Sequence, residues 1–336
     1  MASAVWEASV LAALLSSVAL AILFRVRRAL PQDIPNDRSL HGQPVPRAGG
    51  FAIWSGFVPA ALLFPPPFHG GVAAWLAPWA LLVGVSAWDD RRAVPVAARL
   101  AAHAVAALWF GWMLARGGAA ASAGVPVWIA VAGIGVIVAW ASNLYNFMDG
   151  SDGLAATMGV IGFAAMGIAA RHDASAPALC ALAAAIVPFL AVNRPRASMF
   201  LGDAGAVPLG FLAAAFALDG VAASRWPAWF PLLVFLPFVA DATFTLVRRA
   251  LAGETLWRAH RDHCYQRLNR LGAGHAGTLA VYGALALATA VTALACLFAA
   301  PGAGAWALAA WLAVVLMLFA AIDYHWRKNE KPAPTR

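Results

Sequence analysis

Apolar residues follow one another in long runs along this chain, and short polar connections separate the runs. A helix that crosses the hydrocarbon core of a bilayer needs about 20 such residues. Some of the eleven runs are short, so the pattern is compatible with ten or eleven spans. The runs lie near residues 5–24, 48–64, 71–88, 99–115, 125–142, 153–170, 176–192, 204–220, 227–247, 277–299 and 303–323. They predict an all-α, polytopic membrane bundle with about 10–11 transmembrane helices.

The composition agrees with this class of protein. Hydrophobic residues make up 62% of the chain and charged residues 11%, and the mean hydropathy is +0.75. Such a chain cannot form the surface of a soluble domain. We find no internal repeat and no linker long enough to separate two domains. The sequence therefore predicts a single integral membrane domain over residues 1–326, followed by a basic cytoplasmic tail over residues 327–336.

The distribution of positive charge predicts the orientation of the bundle. Glu7 lies in the first turn of the first run and several arginines follow that run, an order typical of an uncleaved anchor. Of the 23 Lys and Arg residues, only Arg116, Arg171 and Arg225 lie in one set of alternate connections. The positive-inside rule places the other set in the cytoplasm, with the N-terminus outside and the C-terminus cytoplasmic. Topology and contact with anionic lipid then explain the net charge of +8, without nucleic acid.

Polar chemistry is concentrated in five of the predicted cytoplasmic loops, whereas the external connections are short and plain. A transporter more often buries its charges near the midplane of the membrane, between repeats. The distribution favours an enzyme whose active site is built from cytoplasmic loops. A polytopic transporter or lipid-carrier flippase is the alternative, and it predicts essential polar groups on both faces.

The first two loops carry candidate acidic and basic groups. Loop 31–50 is rich in proline and glycine. Its charged or titratable groups are either solvated or functional, and they are the acids Asp33 and Asp37 and the bases Arg38, His41 and Arg47. The segment WDDRRAVP places Asp89 and Asp90 side by side. Adjacent carboxylates repel one another unless a metal ion or a proton is shared between them. Neutralisation by the following arginines, as a surface charge cluster, is an equally supported interpretation.

The third loop, NLYNFMDGSDGLA, contains Asn143, Asn146, Asp149 and Asp152 directly after an apolar run. A polar turn between two helices is the simple interpretation, because Asn and Asp form local turn bonds. If the helix continued through the loop, Asn143 and Asn146 would share one face, and Asp149 and Asp152 another. Such groups can bracket a base, a ribose or a metal-bound phosphate.

The last two loops combine one isolated carboxylate with a strongly basic segment. In NRPRASMFLGDAGAVPLG, Asn193 precedes Asp203, which is either a helix cap or a hard oxygen ligand with room for Mg²⁺ and a diphosphate. In RRALAGETLWRAHRDHCYQRLNR, His260 and His263 have i, i+3 spacing. No third zinc ligand is obvious beside this pair, so an anion site is the better interpretation.

Together, five stretches resemble the polyprenyl-phosphate N-acetylhexosamine-1-phosphate transferase family, of the glycosyltransferase family 4 type. They are DIPNDRSLHGQPVPRAGG, DDRR, NLYNFMDGSDGLA, NRPRASMFLGDAG and RAHRDHCYQRL, and they occur in the family's order from residue 33 to residue 268. HRDHCYQRL and PFVADATFTLVRRALAGE are more similar to the O-antigen-initiating branch than to the peptidoglycan translocase branch, whose loop carries adjacent histidines.

The resemblance implies a reaction at the bacterial inner membrane. A polyprenyl phosphate, such as undecaprenyl phosphate, attacks the β-phosphorus of a UDP-N-acetylhexosamine and releases UMP. The product is a lipid-linked sugar that initiates synthesis of O-antigen or another surface polysaccharide. Mg²⁺ is the expected cofactor, with Mn²⁺ as the alternative, because the candidate ligands are all oxygens. The identity of the sugar and a homodimeric state are left open.

The same resemblance implies roles for individual residues. Asp203 would be the principal metal ligand. Asp89 or Asp90 would bind or deprotonate the lipid phosphate, or Asp90 would complete the metal shell. A covalent phospho-aspartate intermediate stays open as a rival mechanism. The residues implied in substrate binding are Asn143, Asn146, Asp149, Asp152 and Asn193 on the nucleotide and metal side, and Arg258, His260, Arg261 and His263 on phosphate or sugar oxygens.

The ninth apolar run contains one acid and two prolines. Because an ionised carboxylate is costly inside a membrane, Asp241 is expected to pair with an arginine or to hydrogen-bond a neighbouring helix. Pro231 and Pro237 are expected to kink the helix and to open a groove for the polyprenyl tail.

Two further classes fit the sequence less well. A purely structural membrane protein would not need Asp203. A phosphotransferase of the CDP-alcohol type requires a D-G-x-x-A-R segment followed by spaced aspartates, and DGSDGLA does not continue in that pattern.

Overall fold

The computed structural model describes residues 1–35, 42–255 and 260–329, and it is 78% helical. The first seven helices are α1 (Ala2–Arg25), α2 (Gly49–Leu63), α3 (Val72–Asp89), α4 (Val96–Leu114), α5 (Ala120–Ser122), α6 (Val127–Phe147) and α7 (Leu154–Ala169). The others are α8 (Ala176–Asn193), α9 (Asp203–Ala222), α10 (Trp229–Val234), α11 (Leu236–Leu251), α12 (Cys264–Leu268), α13 (Gly274–Ala299) and α14 (Gly304–Asn329). Single 3-10 or π turns occupy Arg27–Ala29, Ala115–Ala119, Asn269–Ala273 and Pro301–Ala303. One small antiparallel hairpin pairs β1 (Gln32–Asp33) with β2 (Val45–Pro46).

The predicted class, an all-α polytopic membrane protein, is confirmed. Within the described ranges, eight helical segments are long and apolar enough to cross a membrane. Helices α2 and α7 are shorter apolar helices, and α10 and α11 divide the ninth predicted run between them. At the C-terminal end, α14 continues to Asn329, two residues beyond the predicted start of the tail at residue 327.

Helix α9 lies at the centre of the bundle. It is the most enclosed of the eight segments, with 83% of its apolar window buried, and it packs against α3 and α6. The contact with α6 depends on a missing side chain, because a Cβ on Gly210 would lie 2.3 Å from the carbonyl oxygen of Ala141. Small residues at such crossings let helix backbones approach closely in a membrane.

The kink expected in the ninth run is present as a break between α10 and α11. Phe235 separates the two helices with φ −97° and ψ 12°, Pro231 lies within α10, and Pro237 lies in the first turn of α11. Proline lacks an N–H and its ring crowds the preceding turn, so two prolines six positions apart favour a break here.

Asp241 in α11 has the structural contacts expected for a buried acid. Its carboxylate is fully buried and accepts hydrogen bonds from the N–H groups of Cys264, at 2.8 Å, and Tyr265, at 2.9 Å. The Tyr282 hydroxyl of α13 donates to the same carboxylate. Asp241 therefore anchors α12 and α13 to α11, which fixes the fifth loop relative to the membrane.

At the end of the bundle away from Asp203, ion pairs between side chains join three connections. Asp219 is 2% exposed and lies 2.7 Å from Nδ1 of His69 and 2.6 Å from Arg225. Arg225 also pairs with Asp173 at 2.9 Å. These four residues form what we call the far-end cluster. The sequence predicted short external connections with little polar chemistry, because the charges are single residues in separate parts of the chain.

Candidate active site

The first and fourth loops are joined by backbone hydrogen bonds that place Asp203 at the edge of the hairpin. The N–H of Phe200 donates to Pro46 at 2.8 Å, and the N–H of Gly49 donates back to Phe200 at 2.9 Å. The N–H of Gly50 donates to Leu201 at 3.0 Å. Helices α2 and α9 thus begin side by side, and the N-termini of both face this region.

Asp90 forms a cap on α9. Its side chain is 4% exposed, and its two oxygens accept hydrogen bonds from the N–H groups of Asp203, at 3.3 Å, and Ala204, at 3.2 Å. An acid is stabilised at this position by the free N–H groups and the dipole of the helix. Gly202 has φ +75°, and a Cβ there would lie 2.9 Å from the Asp90 carboxylate. Glycine therefore satisfies both the backbone conformation and the close approach.

Asp203 presents its carboxylate differently. Its side chain is 28% exposed, and the Asn146 side chain hydrogen-bonds it. Since its own N–H is held by Asp90, the position of the Asp203 backbone depends on that contact. Of Asp90 and Asp203, Asp203 therefore has the more accessible carboxylate.

Asp90, Asp149 and Asp203 act on one another electrostatically, and we call them the carboxylate cluster. Burial first, and then the Asp203 carboxylate, raise the pKa of Asp90 to about 6. Burial and the same neighbour raise the pKa of Asp149 well above its usual value. Like charges gathered in a half-buried site favour the binding of a cation or a proton.

Two arginines supply positive charge to this cluster. Arg47, on the segment that follows β2, lies 2.7 Å from Asp33 and 4.0 Å from Asp90. Arg99, in the first turn of α4, lies 3.8 Å from Asp203. Arg99 is not among the residues predicted for the site, because it lies at the start of an apolar run and has the spacing of an ordinary helix residue.

Asp89 faces Arg99 rather than the carboxylate cluster. One of its oxygens accepts from Arg99 at 2.6 Å, and the other accepts from the N–H of Val94 at 2.7 Å. The two adjacent acids of the DDRR segment therefore have different partners. Asp89 binds the guanidinium of Arg99, which approaches Asp203. Asp90 binds the backbone N–H of Asp203 itself.

The donor atoms of the carboxylate cluster fit a magnesium ion that also binds a diphosphate. Among the described residues, no three His, Cys, Asp or Glu side chains lie close enough to hold a metal by themselves. Mg²⁺ is usually bound by one or two carboxylates together with substrate phosphates and water. Asp203 and Asp90 can supply those oxygens, since the two carboxylates interact with one another in one half-buried site.

The helical continuation considered for the third loop does not occur, because α6 ends at Phe147. Asp149 interacts with the carboxylate cluster, whereas Asp152 turns to the fourth loop and accepts from the N–H of Ala197 at 3.0 Å. The N–H of Asp152 donates to Nδ1 of His275 at 3.1 Å. Like Arg99, His275 is a contact residue that was not predicted from the sequence.

Asn193 and Asn143 are largely engaged within the protein. Asn193 is 4% exposed, accepts from the N–H of Gly153 at 3.0 Å and donates to Met199 at 2.9 Å. The Asn143 amide donates to Ala139 at 2.7 Å. The Asn193 contacts brace the third and fourth loops, whereas the Asn143 contact stays within α6.

The two histidines of the fifth loop stack beside the third loop. His263 is 2% exposed, and its ring centroid lies 5.0 Å from His260 and 5.9 Å from Phe147. Burial first, and then His263, lower the pKa of His260 to about 4, so His260 is neutral at pH 7. Nδ1 of His260 accepts a long hydrogen bond, 3.4 Å, from the N–H of Asp262, which leaves the proton on Nε2. Neutral His260 can therefore donate from Nε2.

Arg258 and Arg261 are the other two residues of this loop that were predicted to bind substrate. Arg261 is half-buried next to His260. Arg258 lies outside the described residues. The fifth loop contacts the third directly, because the Tyr265 hydroxyl donates to the carbonyl of Phe147 at 2.9 Å.

Comparison with known proteins identifies similar membrane transferases. A family model described as "Glycosyl transferase family 4" matches residues 72–221, a range that contains the whole carboxylate cluster. The decaprenyl-phosphate N-acetylglucosaminephosphotransferase of Mycobacterium tuberculosis is 30% identical over 72% of this chain and 69% of its own length. The undecaprenyl-phosphate alpha-N-acetylglucosaminyl 1-phosphate transferases of Yersinia pestis and Escherichia coli are 28% and 26% identical, each over 71% of this chain and over 70% and 69% of their own lengths.

Proposed function

The chain belongs to glycosyl transferase family 4, and we propose that it transfers an N-acetylhexosamine 1-phosphate from a UDP-sugar to undecaprenyl phosphate or a related polyprenyl phosphate. The observation that carries this proposal is the carboxylate cluster, which lies at one end of a membrane bundle with Arg47 and Arg99 beside it. The relatives named above act on polyprenyl phosphates and N-acetylglucosamine, so that sugar is the first to test.

The cofactor in this proposal is Mg²⁺, with Mn²⁺ as the alternative, held by Asp203 and Asp90. When bound, the ion neutralises the diphosphate and orients it, which is the main requirement of phosphoryl transfer. Asn146 fixes the Asp203 carboxylate through its hydrogen bond. Asp149 extends the negative surface that attracts the cation.

The bond changes need only the two substrates. An oxygen of the polyprenyl phosphate attacks the β-phosphorus of the UDP-sugar, the bond from this phosphorus to the bridging oxygen breaks, and UMP leaves with that oxygen. Arg99, held by Asp89 at 2.6 Å, offsets negative charge near Asp203 as the bonds change. Both Asp89 oxygens already accept hydrogen bonds, which favours direct attack by the lipid phosphate over a phospho-aspartate intermediate at Asp89.

The fifth loop completes the proposed site on the side of the sugar. Neutral His260 donates from Nε2 to a phosphate or sugar oxygen, and His263 holds the His260 ring in place. Arg261 and Arg258 contribute charge to the same anion. Asp152 and Asn193 keep the third and fourth loops together around the nucleotide.

The site is proposed to face the cytoplasm of a bacterial inner membrane, because most of the lysines and arginines lie at this end. The polyprenyl tail is proposed to lie along α10 and α11, where Leu232 beside the break at Phe235 is 47% exposed and Val247 near the end of α11 is 52% exposed. A role in starting O-antigen or a related surface polysaccharide follows from the similarity of the fifth loop, as an extension of the same proposal.

The function is tested with purified protein in detergent, undecaprenyl phosphate, Mg²⁺ and a panel of radiolabelled UDP-sugars. The expected product is an organic-phase diphosphate-linked sugar that forms only when both lipid and metal are present. Label that stays in the aqueous phase with every UDP-N-acetylhexosamine, from protein shown to be folded, would contradict the proposal.

A further inference from the structure

A second group of charges lies at the same end of the bundle but on different helices. Its residues come from the end of α11, from α12 and the turn that follows it, and from the last turns of α14. The basic members are Arg248, Arg249, Arg267, Arg270, Arg327 and Lys328, and the acidic members are Glu254, Asp262 and Asp323. In this part of the described chain, the basic side chains are twice as numerous as the acidic ones. The patch therefore carries an excess of positive charge.

Asp323 shows how the excess arises. This one carboxylate pairs with Arg248 at 2.6 Å, with Arg327 at 2.8 Å and with Arg267. One negative charge cannot neutralise three guanidinium groups. Arg327 is 70% exposed, so part of the surplus charge is presented at the surface.

A cavity of about 360 Å³ opens within this patch. Its lining residues are Arg270, Leu271, Trp326 and Asn329. The Arg270 guanidinium lies 4.4 Å from the centre of the Trp326 ring, and that of Arg267 lies 5.5 Å from it. Ligand pockets in proteins measure roughly 300–1,000 Å³. The cavity has room for a small polar group, with cations and an aromatic ring at its wall.

The position of the cavity identifies its environment. Leu287 and Val291 of α13 and Met317 of α14 expose more than half of their side-chain surface, as residues that face lipid do. The cavity lies where these two helices emerge from the apolar region, and Trp and Arg are enriched at that depth of a membrane. The carboxylate cluster is built from α3, α9 and the loop after α6, so the cavity belongs to another part of the surface.

We propose that this cavity binds the headgroup of an anionic phospholipid. Arg270 holds the lipid phosphate, Trp326 and Leu271 pack against the glycerol region, and the acyl chains lie along the exposed faces of α13 and α14. Basic pockets between transmembrane helices bind acidic headgroups because the attraction adds to the burial of the acyl chains. The proposal is independent of the sugar transferase activity.

Native mass spectrometry of the purified, delipidated protein tests this site. The protein is titrated with phosphatidylglycerol and, separately, with phosphatidylcholine of the same acyl chains. Phosphatidylglycerol is expected to bind more tightly, and Arg270→Gln is expected to weaken its binding about fivefold, the effect of one basic residue at an anionic lipid surface. The matched control, Arg28→Gln, removes an exposed arginine at the same end of the bundle and is expected to leave binding unchanged.

A second variant and a soluble competitor separate the sources of the anion. Trp326→Leu is expected to weaken phosphatidylglycerol binding while keeping the charge of the patch. Glycerol 1-phosphate, which lacks acyl chains, is expected not to displace the lipid. Equal binding of the two lipids, equal binding by Arg270→Gln, or displacement by glycerol 1-phosphate at the concentration of the lipid would each overturn the proposal.

Discussion

At the scale of single residues, the adjacent acids Asp89 and Asp90 perform separate tasks. Asp90 accepts two N–H groups at the start of α9, whereas Asp89 holds Arg99 and the N–H of Val94. Asp203 is left as the more accessible carboxylate. A metal-bound diphosphate would therefore meet Asp203 first, with its position set by Asp90 and its charge partly balanced by Arg99.

Substitution of Arg99 tests whether its guanidinium contributes to the reaction. Arg99→Gln removes the guanidinium that lies 3.8 Å from Asp203, and it leaves Asp89 without its ion pair. We expect kcat/KM for UMP release to fall about 100-fold, the usual cost of losing one donor aligned with developing charge.

The control for Arg99 is Arg25→Gln, which removes an exposed arginine at the end of α1. It is expected to keep the wild-type kcat/KM. Wild-type activity in Arg99→Gln, with an unchanged thermal midpoint, would show that Arg99 has no part in the reaction.

Individual residues also show what a sequence can and cannot predict. Asp203 stands out because a carboxylate between small residues at a membrane boundary is unusual. Arg99 and His275 do not, because each is a single polar residue near the start of a helix and its partner is distant in the chain. The members of the far-end cluster were missed for the same reason: Asp219 and His69 are 150 positions apart.

At the scale of elements, the site depends on the contact between the first turns of α2 and α9. A Cβ on Gly50 would lie 2.5 Å from Cα of Gly205, so the two backbones touch. Asp203 lies two residues before Gly205. Any change that separates these helices will move the Asp203 carboxylate relative to Asp149 and Arg99.

Gly50→Ala tests this dependence. The added methyl group must push α9 away from α2, and displacements of about 1 Å at a reacting centre can cost about 100-fold in rate. We expect a large loss of UMP release together with a lower thermal midpoint in detergent.

Gly84→Ala is the matched control, because nothing lies within 4 Å of a Cβ at that helical position. It is expected to retain activity and stability. A Gly50→Ala protein with the activity and midpoint of the wild type would refute the idea that this contact positions Asp203.

The elements themselves were largely predictable. Each of the eleven apolar runs corresponds to helical structure, since long apolar segments satisfy their backbone hydrogen bonds as helices in lipid. The break at Phe235 was anticipated from Pro231 and Pro237. The end of α6 at Phe147 agrees with the polar-turn interpretation of the third loop, in which Asn and Asp form local turn bonds.

At the scale of the whole molecule, the two ends of the bundle use charge in different ways. The far-end cluster pairs Asp219 and Asp173 with Arg225, and Asp219 with His69, which leaves these acids with close partners. The carboxylate cluster gathers Asp90, Asp149 and Asp203 with fewer close cations. Acids with fewer close cationic partners at the end that carries Asp203 favour the proposed cation-dependent chemistry at that end.

Measuring UMP release by the Asp203→Asn variant tests whether the carboxylate cluster carries a metal-dependent phosphoryl transfer. The assay compares the wild type, Asp203→Asn and the control Asp173→Asn, which alters a far-end acid, each with undecaprenyl phosphate, the preferred UDP-sugar and either Mg²⁺ or chelator. We predict release by the wild type and Asp173→Asn that chelator abolishes, and none above background by folded Asp203→Asn. Wild-type release by Asp203→Asn, or release that persists in chelator, would contradict the account.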